Sequence, residues 1–139
     1  LINTTLTKLL RIESELSEKI SSINSDSLAA FPDQNFVDLD QESVEAQQTK
    51  LFITNIIDAK KVELGVSVLD RQIEYYEFRF NQLDSYYGFG QPDGLYETMQ
   101  SILKYIAETR TERIGKMHTT FDIELPKNVN FCLHRYNLI

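Results

Sequence analysis

The sequence predicts a mainly α protein, in which long coiled-coil helices carry a short returning helix and a C-terminal β-hairpin as a small α+β cap. Three observations predict this class. Apolar residues recur at alternating spacings of three and four from residue 2 to residue 87, with one interruption. Only five Gly and three Pro punctuate the 139 residues. After Gly115 the apolar period changes to two. A chain of this length, 42% hydrophobic, forms one domain or a domain with an extended element, and is long enough to bury a core. Four segments follow: a coiled-coil helix over 1–24, a linker over 25–40, a long coiled-coil helix over 41–88, and a capping helix plus hairpin over 89–139.

In the first segment Ile2, Leu6, Leu9, Leu16, Ile20 and Ile23 form a narrow heptad seam suited to one partner helix. Glu13 occupies the one slot the pattern leaves polar, where it weakens the seam and helps fix register or partner choice. Such a helix is marginal alone in water. The pattern then breaks. Pro32 forbids a continuous helix and pushes Phe31 towards extended geometry. The acidic, aromatic stretch from 24 to 40 is read as a connector whose apolar residues tuck against its own helices; Phe31, Phe36 and Leu39 are the alternative, a motif that docks on another protein.

The long helix carries the strongest signal. Every third and fourth residue gives Phe52, Asn55, Ala59, Val62, Val66, Leu69, Ile73, Tyr76, Phe80, Leu83 and Tyr87, all apolar or aromatic except Asn55. At ~1.5 Å per residue this is a rod of about 70 Å. Ile53, Ile56, Ile57, Tyr75 and Phe78 widen its stripe towards bundle packing. Aromatics then crowd together from Tyr75 to Phe89, and at helical spacing they read as core. The stretch Gly88-Phe-Gly-Gln-Pro-Asp-Gly94 contains a Gly-x-Gly, but it follows a helix and lacks the third Gly, so it is a turn and not a nucleotide loop. Asp93 is the expected N-cap of the next helix, over about 94–115, with Leu95, Met99, Ile102 and Ile106 as its apolar face and Tyr96 and Leu103 beside them. The short turn makes it an antiparallel neighbour of the rod's aromatic end. Beyond it, Phe121, Ile123 and Leu125, then Val129, Phe131 and Leu133, alternate with polar residues around Pro126-Lys-Asn128, which reads as a hairpin.

The acidic balance excludes a nucleic-acid partner. The sequence has 14 Lys+Arg against 21 Asp+Glu, whereas phosphate binding needs a basic face. Arg110, Arg113 and Lys116 are the nearest approach, and they complement a helix C-terminus. No apolar run reaches the ~18 residues of a membrane span. Cys132 is the only cysteine, so no disulfide scaffold is built; it reads as a buried thiol in a protein kept in a reducing, intracellular (cytoplasmic or nuclear) setting. The chain starts at Leu1 with its helical pattern already running and is expected to be a fragment, with any targeting signal outside it.

Catalytic chemistry finds no footing. His118 and His134 fall on opposite arms of the expected hairpin, and with Cys132 they fall short of a zinc site. Asp38, Asp40, Glu42 and Glu45 cluster at the start of the rod, but an EF-hand counted from Asp38 would place Ser43 and Thr49 where Gly and Glu are needed. No Gly-x-Ser-x-Gly elbow is present. The expectation is no enzyme, no cofactor, no metal and no catalytic residue.

One resemblance bears on how the rod closes. The run Leu69-Asp-Arg-Gln-Ile-Glu-Tyr-Tyr-Glu-Phe-Arg-Phe-Asn-Gln-Leu-Asp84, a turn, and then Ser101-Ile-Leu103 resembles the dimerisation module of microtubule end-binding proteins. In that family a coiled-coil helix passes an acidic-aromatic stretch, turns, and meets a short returning helix to form a four-helix bundle in the dimer. Glu77 and Phe78 depart from the family pattern, and the family has no following hairpin. The resemblance serves as a physical analogy and not as membership.

The functional expectation is a non-enzymatic dimerisation or assembly module of an intracellular scaffold, tether or adaptor, of the cytoskeletal or cell-division kind. Its expected interface is Leu9, Leu16, Phe52, Val62, Val66, Leu69, Ile73, Tyr76, Phe80 and Leu83, with a protein as partner: a second copy or a hetero coiled coil. Two alternatives stand beside it. In one, the first helix folds back on the rod to give a monomeric bundle that takes a partner's helix or peptide in an aromatic groove. In the other, the chain is a subunit of an obligate hetero-complex, with Glu13 and Asn55 selecting register.

Overall fold

The computed structural model describes residues 1–30, 35–88 and 90–139. Its elements run β1 (Ile2–Thr4), α1 (Leu6–Ala30), α2 (Asn35–Glu63), α3 (Val66–Asp84), α4 (Leu95–Met117), β2 (Phe121–Ile123) and α5 (Lys127–Arg135). The class is mainly α, as the periodicity predicts, with one two-stranded antiparallel sheet among the described residues. The chain divides into two compact units, one of residues 1–60 with 120–139 and one of residues 61–119.

In the first unit, Thr5 caps α1: its hydroxyl accepts from the Lys8 amide at 3.2 Å, and its carbonyl accepts from the Leu9 amide at 3.0 Å. This supplies an acceptor to amide donors that have no partner within the helix. The face Leu6, Leu9, Ile12, Leu16, Ile23 and Ser27 is buried. The helix therefore continues past the predicted boundary at 24, because Ser27 extends the seam with a small polar side chain that the apolar pattern does not register. Likewise α2 is helical from Asn35, so the predicted linker over 25–40 is helix on both sides of residues 31–34. Phe31 and Pro32 lie outside the described residues.

The core face of α2 is Ser43, Ala46, Thr49, Ile53 and Ile57. It is shifted by one residue from the predicted seam of Phe52, Asn55, Ala59 and Val62; Asn55 and Ala59 are exposed, and Val62 is 71% exposed. The residues at 43, 46 and 49 are small, and the hydroxyls of Ser43 and Thr49 are hydrogen-bonded. Ser43 donates to the Asn24 side chain, Gln47 Nε2 donates to Ser43 at 3.1 Å, and Thr49 returns its hydroxyl to the Glu45 carbonyl at 3.0 Å. Thr54 donates to the Glu13 carboxylate. The pairs 24 with 43 and 13 with 54 share one antiparallel register, so α1 folds back on α2.

β1 pairs antiparallel with β2 in the register Ile2↔Ile123, Asn3↔Asp122 and Thr4↔Phe121, with Asn3 Nδ2 donating to Asp122 Oδ1 at 3.0 Å. The predicted hairpin is thus corrected. Its first arm is a strand, but its partner is the N-terminal strand, and the second arm is the helix α5. Val129, Cys132 and Leu133 are buried, a three-then-one spacing that suits a helix; the alternation Val129, Phe131, Leu133 misled because short apolar runs fit both periods. Phe131 is 66% exposed. A Schellman motif ends α5: Leu138 donates to Leu133 O at 2.9 Å and Asn137 to His134 O at 3.1 Å, with Asn137 left-handed at φ 57° and Leu138 buried over the last turn. Cys132 is a buried free thiol.

In the second unit, the predicted uninterrupted rod is broken. Helix α2 stops at Glu63 and α3 starts at Val66, with Gly65 between them at φ 81°. Glycine takes this left-handed conformation without steric cost, which is how a stretch with no Pro between residues 35 and 84 still ends its helix. α3 and α4 form an antiparallel hairpin joined by the glycine-rich turn. Gly94 (φ 78°), not Asp93, is the N-cap of α4, and α4 runs through Gly115 to Met117.

Candidate helix-docking surface

The hairpin of α3 and α4 is held on its inner face by Val66, Leu69, Leu95, Met99, Ile102 and Ile106, all buried. Charged pairs flank this stripe. Arg113 Nε donates to Asp70 Oδ1 at 2.6 Å, and Arg110 Nη2 to Glu77 Oε1 at 2.7 Å. Lys116 Nζ donates at 2.8 Å to the carbonyl of Leu64, an acceptor left open where the chain turns out of α2. The three cations singled out in the sequence therefore cross-brace the hairpin. Tyr76 and Tyr105 stack with ring centroids 5.8 Å apart, and Tyr75 meets Tyr76 edge-on.

Two helices cannot hide the apolar content of both. On α3, Val68, Tyr75 and Phe78 are exposed. On α4 a second stripe runs Tyr96, Gln100, Leu103, Ala107, Arg110 and Ile114, all exposed, at spacings of four, three, four, three and four. Tyr96 is 52%, Leu103 42% and Ile114 57% exposed. This alternation is that of a helix-pairing seam. It is present in the sequence but hidden there by the stronger apolar face of the same helix. Beside it lies a groove of about 380 Å³ lined by Asp70, Ile73, Arg110, Arg113 and Ile114.

The predicted interface residues divide by place. Leu9, Leu16, Val66 and Leu69 lie inside the chain's own core. Phe52, Ile73, Tyr76, Phe80 and Leu83 are half-buried, and Val62 is exposed. Glu13, the candidate selector of a partner, is engaged by Thr54 of its own chain. Of the candidate docking motif, Phe31 lies outside the described residues, Phe36 falls in the first turn of α2, and Leu39 is half-buried.

A second concave feature lies in the first unit, a cleft of about 450 Å³ whose walls include Glu45, Gln48, Lys127, Phe131 and Cys132. At its edge Glu42 accepts from the Tyr136 hydroxyl and pairs with Arg135 at 3.2 Å. Burial, and then the Glu42 carboxylate, push the Tyr136 phenol well above its ordinary pKa. Glu42 is thus engaged from within the chain by Tyr136 and Arg135. Among the described residues no group of three His, Cys, Asp or Glu side chains is placed to hold a metal, and no helix is long and apolar enough to cross a membrane.

Compared with protein-family models, with curated proteins and with solved structures, the chain matches none. The segment resembling the end-binding dimerisation module is α3, and the helix returning beside it, α4, is far longer than Ser101–Leu103.

Proposed function

We propose that this chain is a non-enzymatic dimerisation and assembly module, working in an intracellular scaffold, tether or adaptor, and that the hairpin of α3 and α4 is the part that engages another chain. The observation that carries this reading is the exposed seam on α4, which runs beside the buried face that α3 covers. Apolar side chains at regular helix-pairing spacing on an exposed face mark an interaction surface when they are contiguous. The acidic balance of the chain directs that surface to protein and away from nucleic acid.

The monomeric-bundle reading has one observation in its favour: α1 folds back on α2 through Glu13–Thr54 and Asn24–Ser43. That fold-back satisfies the first unit and leaves the seam of α4 exposed, so it is compatible with assembly through the hairpin. The association with cytoskeletal or chromosome-segregation machinery rests on the length of one rod, and the break at Gly65 takes that length out of the argument. The reading is tested by light scattering of the purified chain over micromolar concentrations. A mass near twice 16.2 kDa supports it, and a 16.2 kDa particle throughout removes it.

A further inference from the structure

We propose that the groove beside β1 takes an acidic segment of another protein, bound in extended form along the free edge of β1 with its carboxylates against Lys8 and Arg11. The proposal concerns the first unit alone and stands apart from how the hairpin of α3 and α4 is used.

The groove, of about 320 Å³, is lined by all three residues of β1, by Lys8, Arg11 and Ile12 of α1, and by Leu138 and Ile139. No residue of β2 lines it, so it runs along the edge of β1 that β2 leaves open. Among the described residues the sheet ends there. In a ladder, alternate residues turn their N–H and C=O away from the paired strand. Ile2-Asn3-Thr4 carries neither a charge nor a proline to guard that edge against a further strand. β1 is three residues long, so about 10 Å of extended peptide covers it. Ile12 and Leu138 are buried and supply apolar surface for alternate side chains of such a peptide, while main-chain hydrogen bonds to β1 hold its backbone.

The charge of the groove names its occupant. The chain has 21 Asp+Glu, yet residues 1–12 and 125–139, which supply every lining residue, contain none. Lys8 and Arg11 are exposed and one helical turn apart. Among the described residues neither side chain makes an ion pair or hydrogen bond, whereas Arg110, Arg113 and Arg135 are each paired. The two cations also stand in the first two turns of α1, whose first turn holds no acid. A helix N-terminus favours anions, so cations placed there oppose the dipole until a carboxylate neutralises them. The Lys8 amide is already held by the Thr5 hydroxyl, which leaves the side chains of Lys8 and Arg11 as the groups that meet the acid. An open strand edge with apolar surface beside it suits a peptide and not a bare anion, and the unpaired cations make that peptide acidic.

The test titrates the isotope-labelled full chain with an end-capped peptide of about five residues that alternates glutamate and valine, and follows the backbone amide signals. The expected result is saturable shifts centred on residues 2–4 and 8–12, with an affinity that weakens as salt is raised. Replacing the glutamates by lysine, or the central residue by proline, which cannot donate to a strand, should each weaken binding roughly tenfold or more. The paired substitution Lys8→Glu with Arg11→Glu should abolish it. Both positions are exposed and the new charges suit the helix dipole, so the Tm of that variant should hold or rise, which separates lost binding from lost folding. Equal binding of the lysine peptide, or full binding to the doubly substituted chain, would overturn the charge assignment. Equal binding of the proline peptide, or its displacement by inorganic phosphate, would overturn the strand addition. No shift up to ~1 mM peptide, a dissociation constant already weak for a specific contact, would remove the proposal and leave the assembly reading untouched.

Discussion

Gly65→Ala distinguishes a broken rod from a continuous one by the sign of its effect. Were the helix uninterrupted from Asn35 to Asp84, alanine in its interior would stabilise the chain by about 1 kcal/mol over glycine. In the structure Gly65 sits at φ 81°, and an added Cβ would lie 3.3 Å from Lys116 Nζ. The left-handed conformation costs a β-carbon-bearing residue about 1–2 kcal/mol. The lysine must also yield a few tenths of an ångström while it holds the Leu64 carbonyl at 2.8 Å. The expected result is therefore a loss of about 1–2 kcal/mol, or a Tm lowered by about 3–8 °C. Thermal and urea unfolding followed by far-ultraviolet circular dichroism measure it. Gly65→Asn should lose less, since asparagine tolerates this region. A Tm raised by Gly65→Ala would refute the break and restore the single rod.

The phase of α2 is tested by a pair of truncations. Ile53→Ala, fully buried, should cost about 2–5 kcal/mol, whereas Val62→Ala, exposed, should stay within about 0.5 kcal/mol; equal costs would favour the predicted seam instead. Thr54→Val removes the donor to Glu13 and should cost about 1–2 kcal/mol in urea unfolding, a loss that disappears if the two helices do not meet there. Tyr136 gives a pH signature. Its folded pKa is raised, so the native state holds its proton more tightly than the unfolded chain. The stability this contributes is complete below the ordinary value of 10.0 and declines as pH rises beyond it. Tyr136→Phe should flatten part of that alkaline decline and remove the late portion of the phenolate absorbance change; an unaltered titration would contradict the Glu42 contact.

Much of the helical content is legible in the sequence because heptad spacing is a strong signal where the seam is apolar, as at Leu6, Leu9 and Leu16, or Leu69 and Ile73. It fails where small or polar side chains fill the seam. Ser27, Ser43 and Thr49 are buried but carry no hydrophobic mark, so the ends of α1 and α2 read as linker. The seam of α2 was phased by Phe52 and Val62, and one glycine resets that phase between α2 and α3. The second arm of the hairpin was lost to a local ambiguity: nine residues with Val129, Phe131 and Leu133 fit a strand until Cys132 is counted as core. Strand β1 was absorbed into the first helix, because pairing between residues 2–4 and 121–123 is a tertiary event that leaves no local pattern. The exposed stripe of α4 is written in the sequence, but it lies beside the stronger apolar face that α3 covers, and it stands out as the proposed interaction surface only once that face is seen to be occupied.

Light scattering of the unaltered chain across micromolar concentrations tests the central claim, that the chain assembles through its exposed helical seam. The account predicts a mass near twice 16.2 kDa that falls towards the monomer on dilution. A mass of 16.2 kDa at every concentration would contradict it.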